Sequence, residues 1–190
     1  MKFFSFLTIA LLSFAPVRAA WGQSRDGAAL LGRMAGHRVS FGYECTVDDV
    51  SYSGRITLQD KAFVMYGFGG MEVFSDGVTR WTVDTAAEEV LVENEKDAGI
   101  LASPGRLVGA WEDFFTLSGD RFVPRRDCDI SYVVIEACTE DSLDASVLLS
   151  DGRTARFSLG DIVFAEKGPE SDFVFDAASA GDSFIVTDLR

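Results

Sequence analysis

Val39, Phe41, Tyr43 and Cys45 alternate with Ser40, Gly42 and Glu44. A period of two puts the first set on one face of a strand and the second on the other, as in a half-buried β-strand. Just before this run the period is different. Between Gly27 and Gly36, Leu30, Leu31 and Met34 fall three and four apart, which predicts one face of a short helix. After the turn at Asp48-Asp49, Gly54 to Leu58 begins a second strand with Ile56 and Leu58 on one side. Gln59-Asp60-Lys61 turns the chain into a third strand, Ala62 to Phe68, apolar on both faces. Gly67, Gly69 and Gly70 mark a bend, and the next strands are Met71 to Ser75, Thr79 to Asp84 and Glu89 to Glu93. Asp76-Gly77 between the first two of these is a strong hairpin signal. Short strands joined by turns predict an antiparallel meander rather than a parallel α/β sheet.

The pattern breaks at the polar stretch Asn94 to Gly99. Ser103-Pro104 reads as a helix start, with Ser as cap and Pro in the first turn. Leu107, Val108, Trp111, Phe114 and Phe115 then recur at helical spacing, and Gly119 ends the element. So many large apolar side chains on so short a helix fit either core packing or a lid over an apolar cavity. Strands resume at Phe122-Val123, Ile130 to Ala137, Ala145 to Leu149, Thr154 to Leu159 and Ile162 to Ala165. Asp172 to Phe175 and Ser183 to Leu189 form the last predicted pair. The reading is about ten strands and two helices in one domain, with no linker suggesting a second.

The first twenty residues read as an export signal instead of fold. Lys2 gives a positive start, Phe3 to Phe14 an apolar run, Pro16 a break, and Val17-Arg18-Ala19-Ala20 the small residues of a cleavage site. The run is too short for a permanent membrane anchor. No Cys lies near the cleavage region to carry a lipid anchor. Cleavage near Ala19/Ala20 leaves 21–190 as one mature domain outside the cytoplasm, with no stable membrane insertion. It also removes two cations, so a formal net charge of -13 becomes -15. That excess of acid argues against nucleic acid and against broad binding to anionic head groups. Cys45, Cys128 and Cys138 cannot all pair within one chain. Cys128 and Cys138 bracket one strand of about 33 Å, beyond the reach of a disulfide. Either Cys45 takes part in a bond or all three are small buried hydrophobes.

Candidate chemistry is sparse. The single histidine, His37, follows Gly36 at the expected end of the first helix, where a cation suits the helix dipole. No Gly-x-Ser-x-Gly elbow accompanies it. Acid pairs such as Asp48-Asp49, Glu88-Glu89 and Glu140-Asp141 fall in turns or at strand ends, and neighbours on a strand point to opposite faces, unlike a glycosidase pair. Asp127-x-Asp129 is too short for a calcium loop. Gly67-Phe-Gly-Gly70 does not open a helix after a strand, so it is no dinucleotide fingerprint. No Cys-x-x-Cys pattern supports zinc. The residues predict no catalytic group, no metal and no cofactor.

One passage is more specific. The strand Val73-Phe74, the turn Ser75-Asp76-Gly77, the strand with Trp81, and Glu89-Val90 resemble the central hairpin of the LolA-like family of periplasmic lipoprotein carriers. The apolar helix from Pro104 to Phe115 sits where that family has a helix after the sheet. Ile130 to Ala137, Ala145 to Leu149, Asp151-Gly152 and Thr154 to Leu159 resemble its second half. Asp172 to Phe175 and Phe184 to Asp188 resemble its closing strands. The likeness runs from Val39 to Asp188, by order of elements as much as by identity. It implies a mainly β fold with some α, an incomplete antiparallel β-barrel (half-barrel) with helices covering the concave face. It also implies a carrier that delivers lipoprotein acyl chains toward the outer membrane, with an inner-membrane extraction complex and an outer-membrane acceptor as partners.

Such a carrier needs a dry cavity, because burying a sixteen-carbon chain is worth roughly 12 kcal/mol at about 0.8 kcal/mol per CH2. Of the 16 Phe in the chain, twelve remain in the mature part. The expected cavity lining is Phe41, Tyr43, Ile56, Leu58, Phe63, Met65, Trp81 and Val83 from the sheet, with Leu107, Trp111 and Phe115 from the helix. The helix is then a lid, with Gly99 and Gly119 as its flexible flanks. Best-known members carry Arg-Pro at the start of the strand after the first hairpin, and that Arg helps hold the lid. Here the position reads Asp60-Lys61-Ala62, so either Lys61 or Arg80 stands in for it. Lys61 keeps the charge without a bidentate fork. Two other classes stay open: a lipid- or lipoprotein-binding sensor or storage module of the same fold without a trafficking role, and a secreted hydrolase using His37.

Overall fold

A computed structural model describes residues 18–176 and 183–190, apart from the side chains of 18–21 and of Phe68. Most of the expected leader, residues 1–17, lies outside them. The described chain opens with helix α1 (Arg18–Gly36), whose first turn holds the expected cleavage point at Ala19 and Ala20. It then forms β1 (Arg38–Val47), β2 (Val50–Gln59), β3 (Ala62–Phe68), β4 (Met71–Ser75), β5 (Thr79–Asp84) and β6 (Glu89–Asn94). Two single-turn helices follow, α2 (Pro104–Leu107) and α3 (Trp111–Phe114). The second half is β7 (Phe115–Ser118), β8 (Arg121–Pro124), β9 (Ile130–Cys138), β10 (Leu143–Leu149), β11 (Thr154–Ala165) and β12 (Ile185–Asp188).

All twelve strands join one sheet in the order β12-β6-β5-β4-β3-β2-β1-β11-β10-β9-β8-β7. Neighbours are antiparallel except the edge pair β12 and β6, which run parallel. The ends of this order, β12 and β7, do not pair with each other, so the sheet is open. The expected incomplete barrel is therefore the observed architecture. The Asp76-Gly77 hairpin is also as read: Gly77 takes a φ of 88°, and Asp76 Oδ1 accepts from the Val78 and Thr79 amides at 2.8 and 2.6 Å.

Several elements differ from expectation. The two strands predicted around Gly160-Asp161 are a single strand, β11. Gly160-Asp161 makes a bulge instead of a turn, where the register with β1 shifts between Ser40 and Gly42 and Asp161 takes a φ of 53°. A bulge bends a strand while keeping it in the sheet. Asp172 to Phe175 is not a strand. Glu170–Phe173 is a 3-10 turn that buries Phe173 completely. Arg38 pins it through Asp172 Oδ2 at 2.5 Å, and Gln59 grips the Gly168 backbone on both its N–H and its C=O. Finally, the helix predicted over Pro104 to Phe115 is broken at Gly109, and Phe115 already belongs to β7.

The sheet has two differently used faces. Val39, Phe41, Tyr43, Ile56, Leu58, Phe63, Met65 and Val73 alternate onto the inner face and share one core with Leu30, Leu31 and Met34 of α1. The helix face read from the sequence is thus the buried one, although α1 begins nine residues earlier than predicted, at Arg18 instead of Gly27. On the outer face, Val83, Val90 and Val92 form a smaller cluster with Phe74, Trp81, Phe175 and Phe184. Cys45, Cys128 and Cys138 are unpaired thiols, each partly buried against the main core instead of fully buried within it.

Gly54 on β2 sets the spacing of the inner face. It lies opposite Tyr43, and a Cβ there would stand 1.8 Å from the Tyr66 carbonyl oxygen and 3.0 Å from Tyr43 Cε1. The backbone of β3 would have to retreat. Gly54→Ala is expected to destabilise the fold by about 1–3 kcal/mol, as overpacking does. Urea denaturation measures it, and an unchanged midpoint would show that β2 and β3 do not approach this closely.

Candidate functional site

The segment from Glu95 to Phe114 leaves β6 and crosses the inner face before joining β7. It consists of the 3-10 turns Glu95–Asp97 and Ile100–Ala102, then α2, then α3. Its seat is the β2–β3 turn. A Cβ on Gly105 would lie 2.0 Å from the Lys61 carbonyl oxygen, and one on Gly109 would lie 1.6 Å from that of Asp60. Backbone rests on backbone at both points, which only glycine permits. Lys61 therefore meets the cover through its main chain.

The charged contact to the cover comes from Arg80 on β5. Its Nη1 donates to the Ala102 carbonyl at 2.7 Å and lies 3.8 Å from Glu95 Oε2. The Ser103 hydroxyl donates to Glu95 Oε1. The three residues are 7%, 1% and 0% exposed for Arg80, Glu95 and Ser103. Burial pulls the Arg80 guanidinium below its ordinary pKa, while the carboxylates of Glu95 and then Glu93 act the other way. Ser103 thus spends its hydroxyl on Glu95 and does not cap α2. Of the two residues considered for the lid contact, Arg80 is the one whose side chain makes it. Arg106 adds a bond from Nη1 to the Ala98 carbonyl at 3.0 Å and lies 5.6 Å over the Phe114 ring.

Two apolar cavities lie between cover and sheet. The first, of about 80 Å³, is bounded by Phe41, Tyr43, Cys45, Ile56 and Met65 of the sheet and by Leu101, Pro104, Leu107 and Val108 of the cover. The second, of about 60 Å³, lies between Leu31 of α1, Trp111 of α3 and the inner-face residues of β9 and β10, among them Ile135 and Val147. Leu107, Val108, Phe157 and Leu159 line both and form the partition. Either is well short of the roughly 300–1,000 Å³ of ligand pockets. The closed site is nearly filled, so a long ligand requires the cover to move.

Of the expected lining, Phe41, Tyr43, Ile56 and Met65 border the first cavity, Leu107 borders both, and Trp111 borders the second. Leu58, Phe63 and Phe115 are buried in the same core without bordering either. Phe115 stacks on Trp111 with ring centroids 4.3 Å apart. Trp81 and Val83 are corrected: they belong to the outer-face cluster. Arg80 reaches the cover, so its neighbour Trp81 must point away. Sequence reasoning missed Phe157 and Leu159, which the β1–β11 pairing brings opposite Cys45 and Tyr43. Their alternation on a strand was the available signal. It also missed Glu95 and Ser103, for which no local signal distinguishes a buried acid from a solvated one. His37 lies at the end of α1, outside both cavities, with Nδ1 2.8 Å from the Arg33 carbonyl and its ring edge-on to Phe164.

By sequence, no protein-family model and no curated protein matches the chain. By structure it is similar to an uncharacterized conserved protein from Thermus thermophilus, at 9% identity over 87% of this chain and 98% of that one, with a TM-score of 0.50. Similar folds include a LolA superfamily protein. That one, from Nitrosomonas europaea, is 8% identical over 78% of this chain and 97% of its own, with a TM-score of 0.43. A DUF1329 family protein from Desulfovibrio piger is 9% identical over 87% and 99%, with a TM-score of 0.34. At these identities the likeness is one of fold.

Removing one member of a buried ion pair strands the other, which costs about 3–5 kcal/mol, whereas replacing both by apolar groups is often neutral or stabilising. Glu95→Ala is therefore expected to lower stability by about 3–5 kcal/mol, and the double variant Arg80→Met with Glu95→Leu to recover most of it. Chemical denaturation of the two proteins checks this. Equal losses in both would mean that the pair acts through specific hydrogen bonds to Ala102 and Ser103 instead.

Proposed function

We propose that this chain is a periplasmic carrier that takes the acyl chains of lipoproteins into the space beneath the cover and delivers them toward the outer membrane. The observation that carries the reading is the pair of apolar cavities that share Leu107, Val108, Phe157 and Leu159 as a common wall. Lifting α2 removes Leu107 and Val108 from the partition and merges the two spaces. The half-barrel architecture supports the same reading. In it, residues 1–20 are a leader removed near Ala19/Ala20, 21–190 is the mature domain, and the partners are an inner-membrane extraction complex and an outer-membrane acceptor.

The energetics suit transport. A sixteen-carbon chain gains roughly 12 kcal/mol on burial. The cover must first leave the Arg80 network, and that cost is subtracted from the binding free energy. A ligand held by the difference between two large terms can be both sequestered and released. A module that stores or senses lipid would use the same cavity. A transfer assay to outer-membrane vesicles separates the two readings, since only a carrier gives up its cargo.

Mass spectrometry of the full protein, gently purified from a Gram-negative periplasm, is expected to find acyl lipid bound. Lipid-free protein that also fails to take up a hydrophobic dye would overturn the reading and leave core packing as the purpose of the cover. A second expectation concerns the seat. Gly109→Ala has no room against Asp60 and must lift the cover. It should increase dye uptake several-fold, read by fluorescence titration, at a stability cost of about 1–3 kcal/mol. Unchanged uptake with the expected destabilisation would show that ligand enters elsewhere.

A further inference from the structure

Among the described residues, two buried side-chain oxygens lack a hydrogen-bond partner. One is Glu95 Oε2, which has Arg80 Nη1 at 3.8 Å. The other is the hydroxyl of Tyr43. Tyr43 is 8% exposed and borders the larger cavity, whose remaining wall is almost entirely hydrocarbon. A phenylalanine would pack the same wall without leaving a hydroxyl unsatisfied, since an unmet buried polar group is destabilising. An unpartnered polar atom on a residue that lines an apolar pocket is a candidate partner for a ligand's polar atom.

We infer that the cavity selects a neutral acyl ester or amide over bare hydrocarbon and over a free fatty acid, and that the Tyr43 hydroxyl donates a hydrogen bond to its carbonyl oxygen. The inference rests on the carrier reading above and adds the group that the ligand must present. Burial, followed by the neighbouring Cys45, raises the Tyr43 pKa above its ordinary value, so the hydroxyl stays protonated and able to donate. A carboxylate would bring an unpaired charge into the same apolar surroundings, which is far more costly than a carbonyl. Position agrees with this role. Along β1 the inner-face side chains go from fully buried Phe41 through Tyr43 to half-buried Cys45 and Val47, and across the hairpin Val50 is exposed. A ligand lying along β1 with its tail beside Phe41 and its head toward that hairpin passes the hydroxyl between the two. Acyl chains carry their carbonyl at the head end.

The test is a dye-displacement titration of the full chain with methyl dodecanoate, sodium dodecanoate and dodecane delivered from cyclodextrin, at neutral pH. Wild type is expected to bind the ester about tenfold more tightly than dodecane, the gain from one well-placed hydrogen bond. Tyr43→Phe should bind dodecane as wild type does and show less than about a twofold preference for the ester. Its urea midpoint should equal or exceed that of wild type. A wild type that binds ester and dodecane equally, or that prefers dodecanoate, overturns the inference and leaves the carrier reading standing. So does a Tyr43→Phe protein that keeps the ester preference. A wild type that binds none of the three overturns both. A measurement on wild type alone guards against a misfolded variant. The infrared carbonyl band of bound methyl [1-13C]dodecanoate should lie at lower frequency than in hexane, and a band at the hexane position overturns the hydrogen bond.

Discussion

Everything specific about this molecule depends on backbone-to-backbone seating of the cover at Gly105 and Gly109 on the carbonyls of Lys61 and Asp60. Seating at this distance places Leu107 and Val108 down into the sheet's inner face, where they divide one potential pocket into two small ones. It also brings the Ala102 carbonyl within reach of Arg80 and folds Ser103 against Glu95. A side chain at either glycine would hold the cover away and leave a solvated groove. The cover is short of regular structure for the same reason: a continuous helix over Pro104 to Phe115 could not follow the turn it sits on. Two single turns of helix joined at Gly109 can.

In the proposed carrier, the buried Arg80–Glu95–Ser103 group sets what opening that seat costs. Hydrophobic contacts alone would let the cover drift by small amounts. A guanidinium and a carboxylate buried together are favourable only in good geometry, and each is costly if the other leaves. The closed arrangement is therefore discrete, and opening it requires rehydrating both charges. In the proposed carrier, this sets the scale against which an acyl chain's burial competes. The polar group adjoins the first cavity, which Leu101, Ala102 and Pro104 line, so a buried charged cluster stands beside a dry interior.

The outer face has a different task. The segment after β11 lays Phe173 and Phe175 over strands β3 to β6, with Arg38 and Gln59 fastening it. Phe74, Trp81 and Val83 are consumed there. On β3 both faces are apolar, and on β5 the apolar face carrying Trp81 and Val83 is the outer one, opposite Arg80 and Thr82, so the hydrophobic pattern by itself does not say which face holds a ligand. The misassignment of Trp81 and Val83 to the cavity follows from this. On β1 and β2, where one face is polar, Phe41, Tyr43 and Ile56 lie on the inner face and border the first cavity.

What the sequence by itself determined was local: the strand alternations, the Asp76-Gly77 hairpin, the apolar face of α1 and the meander they compose. These rest on period and turn chemistry, which act over a few residues. The likeness of element order extended this to an open half-barrel with a cover. Tertiary structure alone decided the rest. Phe157 and Leu159 reach the cavity because β11 pairs with β1 across more than a hundred residues, a register no local pattern encodes. The gap between the strands read as Thr154 to Leu159 and Ile162 to Ala165 becomes a bulge because β1 continues beside it. Glu95, in a stretch that looks solvated, is buried because Arg80 waits opposite. Each of these outcomes comes from a partner distant in sequence, and burial changes what a side chain costs only once that partner is in place.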